Sequence, residues 1–246
     1  MKLFPAIDLY GGKAVRLLRG DYDRMTVYSD DPPALARDFR AKGATCLHTV
    51  DLEGARDGSM PNLDTVRRLA GEGLFTEVGG GIRSMEAVER YLEAGVNRVI
   101  LGTAAVTDPD FTARAAALYG DKIAVGIDIR DGMAAIRGWT ETGSVTAEEL
   151  LGRMRALGIT TFICTAISRD GAMQGPDFDL YRRLSAADGE ARFIASGGVS
   201  SLEDIRRLRD MGLYGVIVGK AYYTGAVDLA AAAALCAETD EEEGRV

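Results

Sequence analysis

Asp8 and Asp128 each end an apolar run, PAID in one case and VGID in the other. A carboxylate at the end of a buried strand is costly unless it has a partner or a task. Their surroundings echo one another: AIDLYGGKAVRL (6–17) and GIDIRDGMAAIRG (126–138) align with Asp8 against Asp128. Two carboxylates in different environments can divide acid and base work between them. Either one alone could simply hydrogen-bond the loop that follows it. Their recurrence at equivalent places is what favours chemistry.

Glycine-rich turns form the second set. GGGIRS (79–84) matches SGGVSS (196–201), and GT (102–103) matches GK (219–220). With Gly80 set against Gly197, residues 79–104 and 196–221 align without a gap and share ten of 26 positions. Glycine lets an oxyanion approach the backbone, and a helix N-terminus beyond the turn favours negative charge. Tight turns between strand and helix would also use glycine, so one such turn is weak evidence and the recurring pair is stronger. Gly81, Gly102, Thr103, Gly197, Gly198, Gly219 and Lys220 are therefore expected to cradle two phosphates, one in each half of the chain. The turn at residue 79 is not a dinucleotide fingerprint, because Ser84 replaces the third glycine.

Arg16, Arg19 and Arg83 are candidate clamps for an anionic substrate, since a guanidinium binds phosphate or carboxylate through two hydrogen bonds. Trp139, the only tryptophan, lies in RGWTETGS and could stack on a flat heterocycle or pack the loop down. His48, the only histidine, alternates with Cys46 and Val50 and so faces the same side of its strand as they do. A histidine inside a barrel is usually a satisfied core group, and His48 is assigned to substrate contact rather than to catalysis. One histidine and three scattered cysteines do not make a zinc site, and Asp51, Asp57 and Asp170 lack calcium-loop spacing. No metal and no cofactor are expected.

Positioning these groups requires strands that end at one rim. Apolar runs at 3–8, 46–51, 74–79, 98–102, 123–128, 161–166, 192–196 and 215–219 read as strands. Helical periodicity falls between them, at about 32–42, 62–71, 84–94, 108–119, 146–157, 177–186, 200–211 and 226–237. Eight β-α units in 246 residues predict an α/β fold, a (β/α)8 TIM barrel, with its chemistry at the C-terminal ends of the strands. The expected organisation is one domain, 1–246, of two half-barrels at about 1–120 and 121–238, with an acidic tail at 239–246. Segments 9–30 and 129–145 read as long loops in equivalent places, lids or binding loops.

Composition narrows the partners. A net charge of −8 argues against a nucleic-acid face but not against an anionic metabolite, which responds to local N–H groups. No apolar run reaches membrane length, and MKLFPAID enters a strand directly, with no signal peptide. Cys46, Cys164 and Cys236 have no paired spacing and read as buried thiols in a reducing cytoplasm. The chain is read as a monomer acting on a small substrate with two phosphates, with no nucleic-acid and no membrane partner.

Motifs along essentially the whole chain carry a resemblance. PAIDLYGGKAVRL, RGDY (19–22), HTVDLEGA (48–55), VGGGIRS, RVILGTAAV, GIDIRDG, GW (138–139), TAISRDG (165–171), ASGGVSS and GVIVGKA occur in this order. The sequence resembles the phosphoribosylformimino-5-aminoimidazole carboxamide ribotide isomerase family, barrel enzymes of histidine biosynthesis. The resemblance implies an Amadori rearrangement of an aminoaldose ribotide to its aminoketose, without metal or redox cofactor, on a substrate with two phosphates. It implies Asp8 as general base, Asp128 as general acid and Thr165 as a catalytic hydroxyl. Asp170 matches a carboxylate of the site, Gly171 completes that motif, and Trp139 matches a residue that stacks on substrate. Ala166 is a departure, since the family usually has Asp or Glu there, and the internal alignment sets Ala166 against Asp51. Three other readings share the scaffold: a bifunctional isomerase that also takes phosphoribosylanthranilate, the sister cyclase, and a non-catalytic barrel that binds phosphometabolites.

Overall fold

The computed structural model describes residues 1–18, 21–136, 139 and 141–238. The chain opens with β1 (Lys2–Tyr10), which doubles back through β2 (Lys13–Leu18) and β3 (Asp21–Ser29) before α1 (Pro32–Ala41). There follow β4 (Cys46–Asp51), α2 (Leu52–Asp57), α3 (Leu63–Ala70), β5 (Phe75–Gly79) and α4 (Met85–Glu93). The first half ends with β6 (Arg98–Leu101), α5 (Thr103–Thr107) and α6 (Pro109–Tyr119). The second half begins with β7 (Ile123–Arg130), β8 (Met133–Ile136), β9 (Glu141–Thr146) and α7 (Ala147–Ala156). It continues through β10 (Thr161–Ala166), α8 (Phe178–Ala187), β11 (Arg192–Ser196) and α9 (Leu202–Asp210). It closes with β12 (Gly215–Val218), α10 (Lys220–Tyr223) and α11 (Leu229–Ala237).

Eight strands pair in parallel in the order β1, β4, β5, β6, β7, β10, β11, β12, and β12 returns to β1. This is a closed (β/α)8 barrel. Alternation along each strand sends one side chain inward and the next toward the helices. Phe4, Ala6, Cys46, Ile100, Ala124, Ile163, Ile194 and Ile217 fill the inside of the ring. A larger apolar layer packs the strands against the helices, with Ile7, Leu47, Val78, Leu101, Val125 and Phe162 among its strand members. Three of the helix starts read from the sequence carry side-chain caps. The side chains of Ser84 and Asp108 accept from Ala87 and Phe111 N–H, and Thr146 forms a capping box with Glu149.

Segments 9–30 and 129–145 depart from the loop reading. Each holds two further strands that run back antiparallel on the strand before them. Gly11 and Gly12 in one turn, and Asp131 and Gly132 in the other, all have positive φ, which is the type I′ geometry of a two-residue hairpin. Asp8 pairs with Val15 and Asp128 with Ala135, so the two aspartates occupy the same station, where a barrel strand lifts off into a ribbon. The short helices α2, α5 and α10 were not legible, because four to six residues carry too little periodicity. The acidic tail from residue 239 lies outside the described residues. Among the described residues no helix is long and apolar enough to cross a membrane.

Candidate active site

Asp8 reaches the barrel mouth from β1, where its Oδ2 accepts from Arg16 Nη1 at 2.6 Å. Arg16 stands on β2, the strand that the hairpin folds back beside Asp8. Burial disfavours the guanidinium charge, but Asp8 and Asp170 more than restore it and hold Arg16 above its ordinary value. The same guanidinium lies over Gly219, where a Cβ would overlap Nη2 of Arg16. Gly219 therefore leaves room for the Arg16–Asp8 pair.

Asp128 has different company. Thr165, its direct register partner on β10, and Trp139 both hydrogen-bond its carboxylate. Burial pushes the Asp128 carboxyl up, the charge of Asp170 pushes it further, and the two hydrogen bonds together with His48 pull it back only in part. Trp139 holds φ at +72°, a left-handed conformation uncommon outside glycine. Asp170 stands between the two aspartates electrostatically. Burial raises its carboxyl, Arg16 and Lys220 draw it down, and Asp8 raises it again.

Above this group lies a cavity of about 390 Å³, lined by Arg16, Arg24, Thr26, Tyr28, Asp170, Gly171 and Lys220 among others. Lys220 Nζ donates to Gly171 carbonyl oxygen at 2.8 Å and ties α10 to the segment after β10. Three cations (Arg16, Arg24, Lys220) against one carboxylate suit an anionic ligand. Arg19 lies outside the described residues.

The glycine turns are packed more tightly than the sequence implied. A Cβ on Gly80 would overlap the Asp51 carbonyl and one on Gly81 the Gly54 carbonyl. In the second half, Gly197 abuts the Ala166 carbonyl and Gly198 the Gly175 carbonyl. These four glycines are required first by backbone meeting backbone. Arg83 lies on the outer side of this turn, against Gly58, with Nε donating to the Gly81 carbonyl at 3.2 Å. Gly102 and Gly219 share one conformation, φ −100° and ψ −104° against φ −106° and ψ −100°. Above Gly102, next to Thr103, the space is open, whereas above Gly219 it holds Arg16.

Below the aspartates, His48 on β4 points inward and its Nδ1 meets Glu77 Oε1 at 2.7 Å. Glu77 on β5 is fully buried, and its other oxygen accepts from Arg98 Nε at 2.9 Å and Nη2 at 2.5 Å. Among the described residues no group of three or more His, Cys, Asp or Glu side chains converges as a metal ion requires.

The family model described as histidine biosynthesis protein matches residues 2–228. The chain belongs to this histidine biosynthesis family. A relative from Roseiflexus castenholzii is 51% identical over 230 residues, covering 93% of this chain and 97% of its own length. One from Chloroflexus aggregans is 48% identical over 236 residues, covering 96% and 98%, and one from Synechocystis is 49% identical over 237 residues, covering 94% and 92%. All three are named 1-(5-phosphoribosyl)-5-((5-phosphoribosylamino)methylideneamino)imidazole-4-carboxamide isomerase.

Ala166, where the resemblance implies an acidic residue, does not face Asp8 and Asp128. Thr165 points inward, so Ala166 points to the helix side, where it is buried in the outer apolar layer. Asp51, its counterpart, also points outward and accepts from Gly54 N–H at 3.0 Å, Asn62 Nδ2 at 2.8 Å and Tyr91 hydroxyl at 3.2 Å. The sequence reading overlooked four polar groups of this family member's site region. Arg24, Thr26 and Tyr28 alternate along β3 and reach the cavity together, and that period of two was visible. Glu77 was equally visible as a carboxylate inside an apolar strand run.

Proposed function

We propose that this chain is the isomerase of histidine biosynthesis that converts the N-linked aminoaldose ribotide to its aminoketose by an Amadori rearrangement. One observation carries the assignment of roles. The two aspartates at equivalent stations are both half-buried and have unlike partners, a guanidinium on Asp8 and two neutral donors on Asp128. A carboxyl of ordinary pKa near 4 is a poor acid at neutral pH, so burial suits Asp128 to donate. Asp8, held by Arg16 Nη1 at 2.6 Å, is then the group left to accept a proton.

In this reading Asp128 gives its proton to the ribose ring oxygen, and the bond from that oxygen to C1′ breaks. The nitrogen lone pair forms the protonated Schiff base. Asp8 removes the C2′ proton, and the electron pair moves to give the enolamine. Return of a proton to C1′ and loss of the hydroxyl proton at C2′ give the ketose. Atoms and charge balance without a metal or redox cofactor. Arg16, Arg24 and Lys220 would take one phosphate at the cavity, and the open space above Gly102 the other. Thr165 would steer Asp128, and Trp139 would present its ring to the heterocycle as well as donating to Asp128. Three buried thiols outside any disulfide support a reducing cytoplasm as its place.

A steady-state assay with the ribotide and, separately, with phosphoribosylanthranilate tests the proposal. Turnover of the first alone is expected. Turnover of neither substrate by folded protein would rule it out.

A further inference from the structure

His48, Glu77 and Arg98 stand side by side on three adjacent strands, His48 in register with Glu77 and Glu77 in register with Arg98. All three point into the ring. Arg98 is 2% exposed and lies over the rings of Phe4, Phe75 and Tyr214, with its centre 5.7, 5.1 and 5.9 Å from their centroids. A cation held by three rings and a carboxylate does not move readily. It fixes Glu77, and Glu77 in turn fixes His48. His48 also lies close enough to Asp128 to act electrostatically on that carboxyl. The chain spends a fully buried ion pair on one histidine ring. Buried ion pairs contribute little net stability, so a role in orienting a neighbour fits better than a role in holding the barrel.

We infer that Glu77 is a positioning residue, which pins His48 with its Nδ1–H toward β5 and so offers Nε2 as a hydrogen-bond acceptor to a substrate hydroxyl beside Asp128. The inference rests on the isomerase reading for its substrate, but the geometry it asserts is a property of the protein alone. A carboxylate accepts only, so the nitrogen facing Glu77 carries a proton in either charge state of the ring. Replacing Glu77 by glutamine inverts this. Arg98 is permanently charged and donates only, so it claims the amide oxygen and turns the NH2 toward His48. Nδ1 must then accept, and the proton moves to Nε2, which becomes a donor toward the substrate.

His48 is the only histidine in the chain, so nitrogen-detected NMR of the full-length protein reads this one ring without substitution elsewhere. In the neutral ring of the wild type, Nδ1 should appear as the protonated nitrogen and Nε2 as the bare one. In E77Q the two should exchange, and kcat should fall about 10- to 100-fold, as when the partner orienting a functional histidine is lost, with KM changed by about twofold or less. If E77Q folds poorly around the unpaired Arg98, the double variant E77L/R98L removes both charges together. It should fold, lose the fixed Nδ1–H form and show the same fall in kcat. A wild-type ring protonated on Nε2 would overturn the inference. So would a folded E77L/R98L variant with wild-type kcat. Failure of the wild type to turn over the ribotide would instead strike the isomerase reading, and the NMR result would still decide the role of Glu77.

Discussion

Arg16 Nη1 lies 2.6 Å from Asp8 Oδ2 while the rest of the guanidinium covers Gly219. One side chain thus joins the expected base to the rim of the cavity. Any phosphate that draws on Arg16 also alters the environment of Asp8. In the proposed reaction, binding at the rim and proton abstraction at the floor are coupled through this single residue.

Asp8→Asn removes the base and leaves the outline of the site intact. Loss of a general base costs about a hundredfold to ten-thousandfold in rate. Steady-state kinetics should show that fall in kcat, and calorimetric titration with the substrate should show a dissociation constant within about threefold of wild type, a difference well under 1 kcal/mol. Full activity in this variant would refute the role given to Asp8.

Gly102→Ala and Gly219→Ala probe the two turns that share one conformation. A methyl group at Gly102 enters open space, so the protein should fold normally. If that space receives a phosphate, KM should rise about tenfold, equivalent to about 1.4 kcal/mol, with kcat little changed. A methyl group at Gly219 meets the far end of the Arg16 side chain and must displace it. That variant should lose kcat as well as affinity, since Asp8 loses its partner. Equal KM for Gly102→Ala and wild type would show that the open space is not an anion site.

Asp128 has a pH signature in stability. Burial and Asp170 place its folded value above its unfolded one, despite the hydrogen bonds from Trp139 and Thr165. Its contribution favours the folded state below the unfolded value near about 4 and is lost as pH rises through the folded value. Asp128→Asn should therefore melt higher than wild type at neutral pH, and the gain should vanish in acid. A gain on the order of 1 kcal/mol corresponds to roughly 2–4 °C in a chain of this length. Thermal melts across the acid range would show it. A variant that melts lower at neutral pH would contradict this account.

Trp139→Phe keeps a ring and removes the donor to Asp128. That bond pulls the Asp128 carboxyl down, so its loss should raise it further. An acid with a higher pKa stays protonated to higher pH. The alkaline limb of the kcat profile should shift upward, and a limb that shifts downward would exclude Asp128 as the acid.

Asp51→Ala tests the outward-facing partner of Ala166. It would take the acceptor from four donors in a buried region, the N–H groups of Gly54 and Asn62, Asn62 Nδ2 and the Tyr91 hydroxyl, of which Asn62 Nδ2 alone keeps another partner, Glu53. The expected loss is about 2–4 kcal/mol, read as a lower urea midpoint at unchanged slope. An unchanged midpoint would mean that these donors find other partners.

The sequence by itself determined the eight strands, the helices between them, the rim at which function gathers and the pairing of Asp8 with Asp128 as equivalent groups. These follow from periodicity and recurrence, which are local properties that a linear reading retains. Three things were decided only by the tertiary structure. Segments 9–30 and 129–145 became ribbons because their polar strands gain partners only by folding back on β1 and β7. The glycine pairs at 80–81 and 197–198 proved to be sites of backbone contact, because the segments they touch, after β4 and β10, are distant in sequence. The two aspartates acquired different characters, one beside a guanidinium and one among neutral donors, although their local sequences are alike. Electrostatic environment depends on what lies within a few ångströms in space: pairing of β7 with β10 brings Thr165 to Asp128, and the two ribbons bring Trp139 to Asp128 and Arg16 to Asp8.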